Sequence, residues 1–174
     1  MKKVLVISDN HGRTELMYEL VGLVKPVDLI VHCGDVEVPN IERRLSERAD
    51  CPVHVVSGNN DYFGGYPFVD IFMLGEHRVL LTHGHKQKLY YDLTNLFYLA
   101  AQEQADIVLF GHLHTPIIQR EGEVLLVNPG SLTYPRQSNG LPSYAMLTLE
   151  DDGTVRAAIR YIKRTRDGLE ILPD

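Results

Sequence analysis

Residues 111–116 read GHLHTP, two histidines one residue apart directly after the apolar run IVLF. THGH at 82–85 follows RVLL, and SDNH at 8–11 follows KVLVI. HCGD, ending at Asp35, follows DLIV, and SGNND, carrying Asn59, follows VHVV. Together these segments offer Asp9, His11, Asp35, Asn59, His83, His112 and His114: seven nitrogen or oxygen donors and no thiolate. Such a set suits Mn, Fe, Ni, Co or Zn. Seven donors exceed the needs of one ion but match two divalent ions that share a bridging carboxylate. Two such ions bring four positive charges and the two aspartates remove two, so a bridging hydroxide leaves a net charge of about +1. A cationic centre in an otherwise acidic chain favours an anionic substrate, and phosphate fits.

All seven donors share one position, the carboxyl end of an apolar run that reads as a buried strand. In open α/β sheets, ligands collect in the crevice outside those strand ends. Val4–Ile7 is short, apolar and β-branched, as expected of a strand covered on both faces. Leu16, Met17, Leu20, Val21 and Val24 then recur at helical spacing until Pro26. DLIVH, a helix over 41–49 and VHVVS continue the strand–helix alternation, which predicts a largely parallel sheet. FVDIFML and RVLLT, separated by GEH, predict a hairpin. A further helix presents Leu93, Leu96, Phe97 and Ala100, and IVLF at 107–110 is another buried strand. From IIQR onward, short turns such as EGE and DDG join strands that read as one antiparallel meander. The fold expected is α/β: a single domain over 1–174, forming a four-layer α/β/β/α sandwich of two mixed sheets flanked by helices. The one long stretch without a pattern is PGSLTYPRQSNGLPS at 129–143, and loops of that length tend to be functional.

The bulk numbers narrow the function. With 174 residues, 44% hydrophobic and 23% charged, the chain is long enough for a substantial core. A formal net charge of −6 argues against wrapping nucleic acid, and RYIKRTR at 160–166 reads as a solvated strand face. No stretch approaches the ~20 apolar residues of a membrane helix. The lysines at the N-terminus precede too short an apolar run for a signal peptide. Cys33 and Cys51 lack metal-type spacing, so they read as reduced thiols in a cytoplasmic protein. Self-association into a homo-oligomer is compatible with all of this. His32, His54 and His77 lie outside the donor pattern and read as structural or surface residues.

The ordered set D-x-H, GD, GN-x-D, HGH and GHLH, followed by NPGS at 128–131, resembles the calcineurin-like metallophosphoesterase superfamily, in particular its short prokaryotic phosphodiesterases. The resemblance implies that Asp9, His11 and His114 hold one metal ion. It gives Asn59, His83 and His112 to a second ion and makes Asp35 the bridge. A metal-bound water or hydroxide is then expected to attack phosphorus in line. Many members carry GNHD or GNHE, whose histidine is thought to stabilise the transition state or protonate the leaving oxygen. Here GNND places Asn60 there, and an amide cannot supply an acid proton near neutral pH. Asn60 and His85 are therefore the candidate catalytic groups, with His85 a possible source of the missing proton. Asn60, Asn128, Ser131 and Arg136 are expected to contact substrate, Arg136 by pairing with phosphate. Asp61 is expected to orient a ligand loop from behind. Tyr62, Phe63 and Tyr66 offer an apolar wall. Two other functions share this pattern: a non-catalytic metal-binding interaction scaffold, as in a retromer subunit of the same fold, and a phosphomonoesterase or nucleotide phosphatase.

Overall fold

Alternation within single strands explains the layering. In the computed structural model, which describes residues 1–63, 65–89 and 92–173, β1 (Lys2–Ile7) turns Val4 and Val6 to one side and Leu5 and Ile7 to the other. Val4 and Val6 join Val79, Leu81, Leu109 and Val127 in the core between two sheets. Leu5 and Ile7 pack beneath α1 (Glu15–Val24) and α2 (Ile41–Ala49), against Met17, Leu20, Ile41 and Leu45. A strand buried on both faces needs a hydrophobic partner on each, so this sheet must be sandwiched.

That sheet has six strands in the order β11-β10-β9-β1-β2-β3. β2 (Leu29–His32) and β3 (Val53–Val55) run parallel to β1. β9 (Ser143–Leu149), β10 (Val155–Thr165) and β11 (Gly168–Ile171) form an antiparallel ladder on the other side of β1. The second sheet has the order β4-β5-β6-β8-β7. Its members are β4 (Val69–Leu74), β5 (His77–Thr82), β6 (Ile107–Phe110), β7 (Pro116–Glu121) and β8 (Val124–Pro129). β5, β6 and β8 run parallel, while β4 and β7 close the edges antiparallel. Leu80, Val108, Phe110 and Leu126 on its outer face meet Leu96 and Ala100 of α3 (Thr94–Glu103). The result is the expected α/β/β/α sandwich of two mixed sheets.

The meander needs correction. β7 and β8 pair as a hairpin, but β8 then lies parallel to β6, and β9 belongs to the other sheet. The residues after β8 carry the chain from one sheet to the other, so each sheet draws on both halves of the sequence. β11 is also additional to the expected strands. Among the described residues no helix is long and apolar enough to cross a membrane.

Candidate metal centre

β1, β2, β5 and β6 all end on the same rim, and each hands its following residues to one crevice. Asp9 is fully buried; its Oδ2 accepts from Ser8 Oγ and from the His112 amide, 3.1 Å away. Its Oδ1 accepts no hydrogen bond although it is buried. Around that atom stand the Nε2 atoms of His114 at 3.1 Å, His11 at 3.9 Å and His83 at 4.0 Å, none in hydrogen-bonding alignment. Asp35 Oδ1 accepts from the Asn60 amide at 2.9 Å, and Oδ2 accepts from Asn60 Nδ2 at 2.8 Å. His83 Nε2 lies 3.5 Å from Asp35 Oδ2 and 3.1 Å from Asn59 Oδ1. His112 packs against His83 with ring centroids 5.1 Å apart.

The outer nitrogens of three imidazoles set their tautomers. His83 Nδ1 donates to the Cys33 carbonyl at 2.7 Å and His114 Nδ1 to the Tyr134 carbonyl at 2.8 Å. His11 Nδ1 donates to Glu37 Oε1 at 2.7 Å. With the proton at Nδ1, the lone pair sits on Nε2, the arrangement found in metal-bound histidines. Yet His11 Nε2 and His114 Nε2 face each other at 3.2 Å, beside two carboxylates. One ligand atom from each of Asp9, His11, Asp35 and His114 falls within 4.8 Å of the others. Lone pairs and anionic oxygens crowded this closely repel unless a cation lies among them, so the donor set fits a divalent metal.

The field of the site runs the same way. Burial opposes charge on His83, but its contact with Asp35 and the charges of Asp9 and Asp35 outweigh this and raise its pKa. Burial likewise works against the Asp35 anion, yet His83 and the two Asn60 hydrogen bonds hold its carboxyl well below the usual range. His112, desolvated and next to His83, is lowered to about 4 and stays neutral near pH 7, as a metal ligand must.

Backbone conformation contributes as much as side-chain choice. Asp9, His11, Asp35, His112 and His114 all have φ between 45° and 67°, a left-handed geometry rare outside glycine. Two glycines make room for the close approach of the loops. A Cβ at Gly58 would stand 2.1 Å from Asp35 Oδ1, and one at Gly111 would stand 2.1 Å from Ser8 Oγ.

A cavity of about 540 Å³ opens over these groups, lined by His11, Asp35, Asn59, Asn60, His112 and His114 together with Tyr134 and Arg136. Asp61 supports it from behind: Oδ1 accepts from the amides of Val36 (2.8 Å) and Glu37 (2.7 Å), and Oδ2 from that of Gly58 (2.8 Å). His85 begins a single 3₁₀ turn, His85–Gln87, with its ring 5.4 Å from His83 and 6.3 Å from His112. Its Nδ1 is buried without a hydrogen-bond partner, and desolvation, His83 and Lys86 lower its pKa. Asn128 and Ser131, expected at the substrate, are instead fully buried and hold backbone. Asn128 Nδ2 donates to Gly111 O (2.7 Å) and its Oδ1 accepts from Gly130 N (2.9 Å). Ser131 Oγ donates to Asp9 O (2.8 Å) and accepts from the amides of Thr133 and Tyr134. Tyr62 and Phe63 are exposed, whereas Tyr66 turns inward to Ser57, Ile41 and Glu42. His32 joins the loop framework: Nε2 donates to Asn10 Oδ1 at 2.8 Å.

The model of the calcineurin-like phosphoesterase superfamily domain matches residues 1–152. The chain belongs to that superfamily. It is 36% identical over 173 residues to a probable metallophosphoesterase, YsnB, of Bacillus subtilis strain 168, covering 97% of this chain and 95% of that one. It is 37% identical over 170 residues to phosphodiesterase YfcE of Escherichia coli K12, covering 84% and 88%. A crystal structure of a predicted phosphoesterase from Streptococcus pneumoniae superposes with a TM-score of 0.76 at 31% identity, covering 98% and 97%. Vps29 of Entamoeba histolytica in complex with zinc, at 22% identity and a TM-score of 0.75 over 98% and 97%, shares the fold.

Two residues at this site escaped the sequence reading. Glu37 had no signal beyond being acidic two positions after Asp35. Tyr134 lay in the long late loop without a pattern to single it out, and it acts through its carbonyl as well as its ring.

Proposed function

We propose that the chain is a dinuclear-metal-dependent phosphodiesterase that hydrolyses small phosphate esters in the cytoplasm. The observation that carries this reading is the confrontation of His11 Nε2 with His114 Nε2 at 3.2 Å beside the unbonded Asp9 Oδ1. Asp9, His11, Asp35 and His114 would hold one ion. Asn59, His83 and His112 would hold the other, with Asp35 shared between them. Mn is the preferred ion, and Ni, Fe, Co or Zn also suit an all-nitrogen-and-oxygen set. When bound, such a pair supplies Lewis acidity and an activated water for in-line displacement at phosphorus.

The chain's own residues do the rest. The carbonyls of Cys33 and Tyr134, with the Glu37 carboxylate, hold three imidazoles with Nε2 inward. Asn60 steadies Asp35 through two hydrogen bonds. Because Asn60 carries no acid proton, turnover should be slow for esters whose leaving group must be protonated. His85, with its ring 5.4 Å from that of His83, would be the source of that proton, and its lowered pKa restricts the role to pH values below its ordinary 6.5. Arg136 on the cavity wall offers its guanidinium to an anionic group of the substrate.

The test is a panel of phosphate mono- and diesters, including bis(p-nitrophenyl) phosphate, assayed after chelation and after return of each metal. Activity on diesters that chelator removes and Mn restores is the expected result. Preference for monoesters would make the protein a phosphomonoesterase. A folded, metal-binding chain that turns over no ester with any metal would instead be an interaction scaffold.

A further inference from the structure

At about 540 Å³, the cavity over the ligand cluster is larger than a phosphoryl group alone requires. Part of its wall is Tyr134, whose ring lies 5.3 Å from that of His11. The Arg13 guanidinium sits over Tyr134, 5.2 Å from the ring centroid. Arg136 lines the cavity two residues further along the same loop. Neither arginine has a carboxylate partner among the described residues.

Both are carried on fixed backbone. The Arg13 amide donates to Asn10 O at 2.9 Å, and the Arg136 amide to His114 O at 3.0 Å. Between them, Thr133 Oγ1 donates to Asn10 O at 2.9 Å, tying the late loop to the first ligand loop. Arg13 also lines a neighbouring groove of about 400 Å³ with Leu16, Leu132 and Thr133. The Arg13–Tyr134 contact therefore stands between the two, with Tyr134 on the cavity side and Arg13 on the groove side. Two permanent positive charges, one on the cavity wall and one over Tyr134 at its edge, in a chain of net charge −6, are placed for an anion. A guanidinium fork matches phosphate and carboxylate oxygens in pairs.

We infer that Arg13, Tyr134 and Arg136 form a subsite for a second anionic group, so that the preferred substrate is a phosphodiester with a further phosphate or carboxylate on one ester arm. This rests on the phosphoesterase reading, but its test can be separated from it. The Mn-loaded full chain is titrated calorimetrically with thymidine 5′-phosphate and with thymidine 3′,5′-bisphosphate. The bisphosphate should bind at least about tenfold more tightly, the effect of one added charge-assisted contact. Arg13→Ala and Arg136→Ala should each shrink that ratio, with Arg136→Lys recovering part of it. Arg156→Ala removes an equal charge from β10, where Arg156 faces Glu150, and should leave the ratio unchanged.

A wild-type ratio near one overturns the subsite even where the arginine variants fold poorly, and so does an equal loss in Arg156→Ala. Release of nitrophenolate from the p-nitrophenyl ester of thymidine 5′-phosphate is measured in parallel. Turnover with a ratio near one removes the subsite and leaves the phosphoesterase reading standing. An arginine-dependent ratio without turnover does the reverse.

Discussion

His11 differs from His83 and His114 in what holds its outer nitrogen: a carboxylate, Glu37, rather than a backbone carbonyl. A carboxylate can be removed without disturbing the chain trace, so its contribution is separable. Glu37→Ala should weaken metal binding at the site proposed for Asp9, His11, Asp35 and His114 by about 10–100-fold, while Glu37→Gln, which keeps an acceptor, should lose less. Calorimetric Mn titration of chelated protein checks this, since only one of two binding phases should move. Asn60 is the second residue whose chemistry can be isolated. Without a proton donor, charge builds on the leaving oxygen, so wild-type rates should fall steeply as leaving-group pKa rises. Asn60→His should flatten that slope, speeding alkyl esters more than nitrophenyl esters. A series of aryl and alkyl esters decides it. If the wild-type slope is already shallow and steepens in His85→Ala, His85 is the acid. That the candidate donors would converge was legible because their residue types and places on strand ends are written in the chain. The left-handed backbone at Asp9, His11, Asp35, His112 and His114 was not, because these residues favour other conformations and only the surrounding loops impose this one.

At the level of elements, His77 at the start of β5 ties the two sheets together. Its Nε2 donates to the Gly153 carbonyl in the β9–β10 turn at 2.8 Å, and its Nδ1 meets Asp106 just ahead of β6. The Gly153 carbonyl, aided by Asp106, raises the His77 pKa above its ordinary 6.5. A raised pKa means that the folded state favours the proton. The charge-dependent stabilisation is therefore complete below pH 6.5 and disappears as pH rises through the folded value. His77→Gln should lower the Tm by roughly 2–4 °C at pH 6, for a loss of about 1 kcal/mol, and by less at pH 9. Paired thermal melts at the two pH values measure it. The β4–β5 hairpin and the helices over α1 and α2 could be read locally, since periodicity and turn residues specify them. The separation of β8 from β9 could not. Both look like ordinary strands, and what parts them is pairing to β6 and β1 across long stretches of chain.

For the molecule as a whole, the candidate metal centre lies at a joint between the sheets. Asp9 and Asp35 follow strands of the six-stranded sheet, whereas His83, His112 and His114 follow strands of the five-stranded one. An ion held by both must stabilise their packing. At a free metal concentration one hundred times its Kd, a single site adds about 2.7 kcal/mol. For a chain of this size that is a rise in Tm of roughly 5–11 °C. Melting with chelator and then with increasing Mn should show this shift, and a Tm insensitive to metal would mean that the ligands do not bridge the sheets.

The place of β1 has a consequence for biosynthesis. β1 is an interior strand, paired to β2 on one side and to β9, residues 143–149, on the other. Ser8, Asp9 and Asn10 are in turn fastened to Leu132, Ser131 and Thr133. The first ligand loop therefore leaves the ribosome long before the segments that give it shape. At 5–20 residues per second, about 140 residues of further translation take on the order of ten seconds. Throughout that interval Asp9 and His11 lack the loop that fixes their geometry, and β1 exposes an unpaired edge. The nascent chain thus has no finished site to offer an ion, and the metal proposed for this centre would load only after those later segments have emerged.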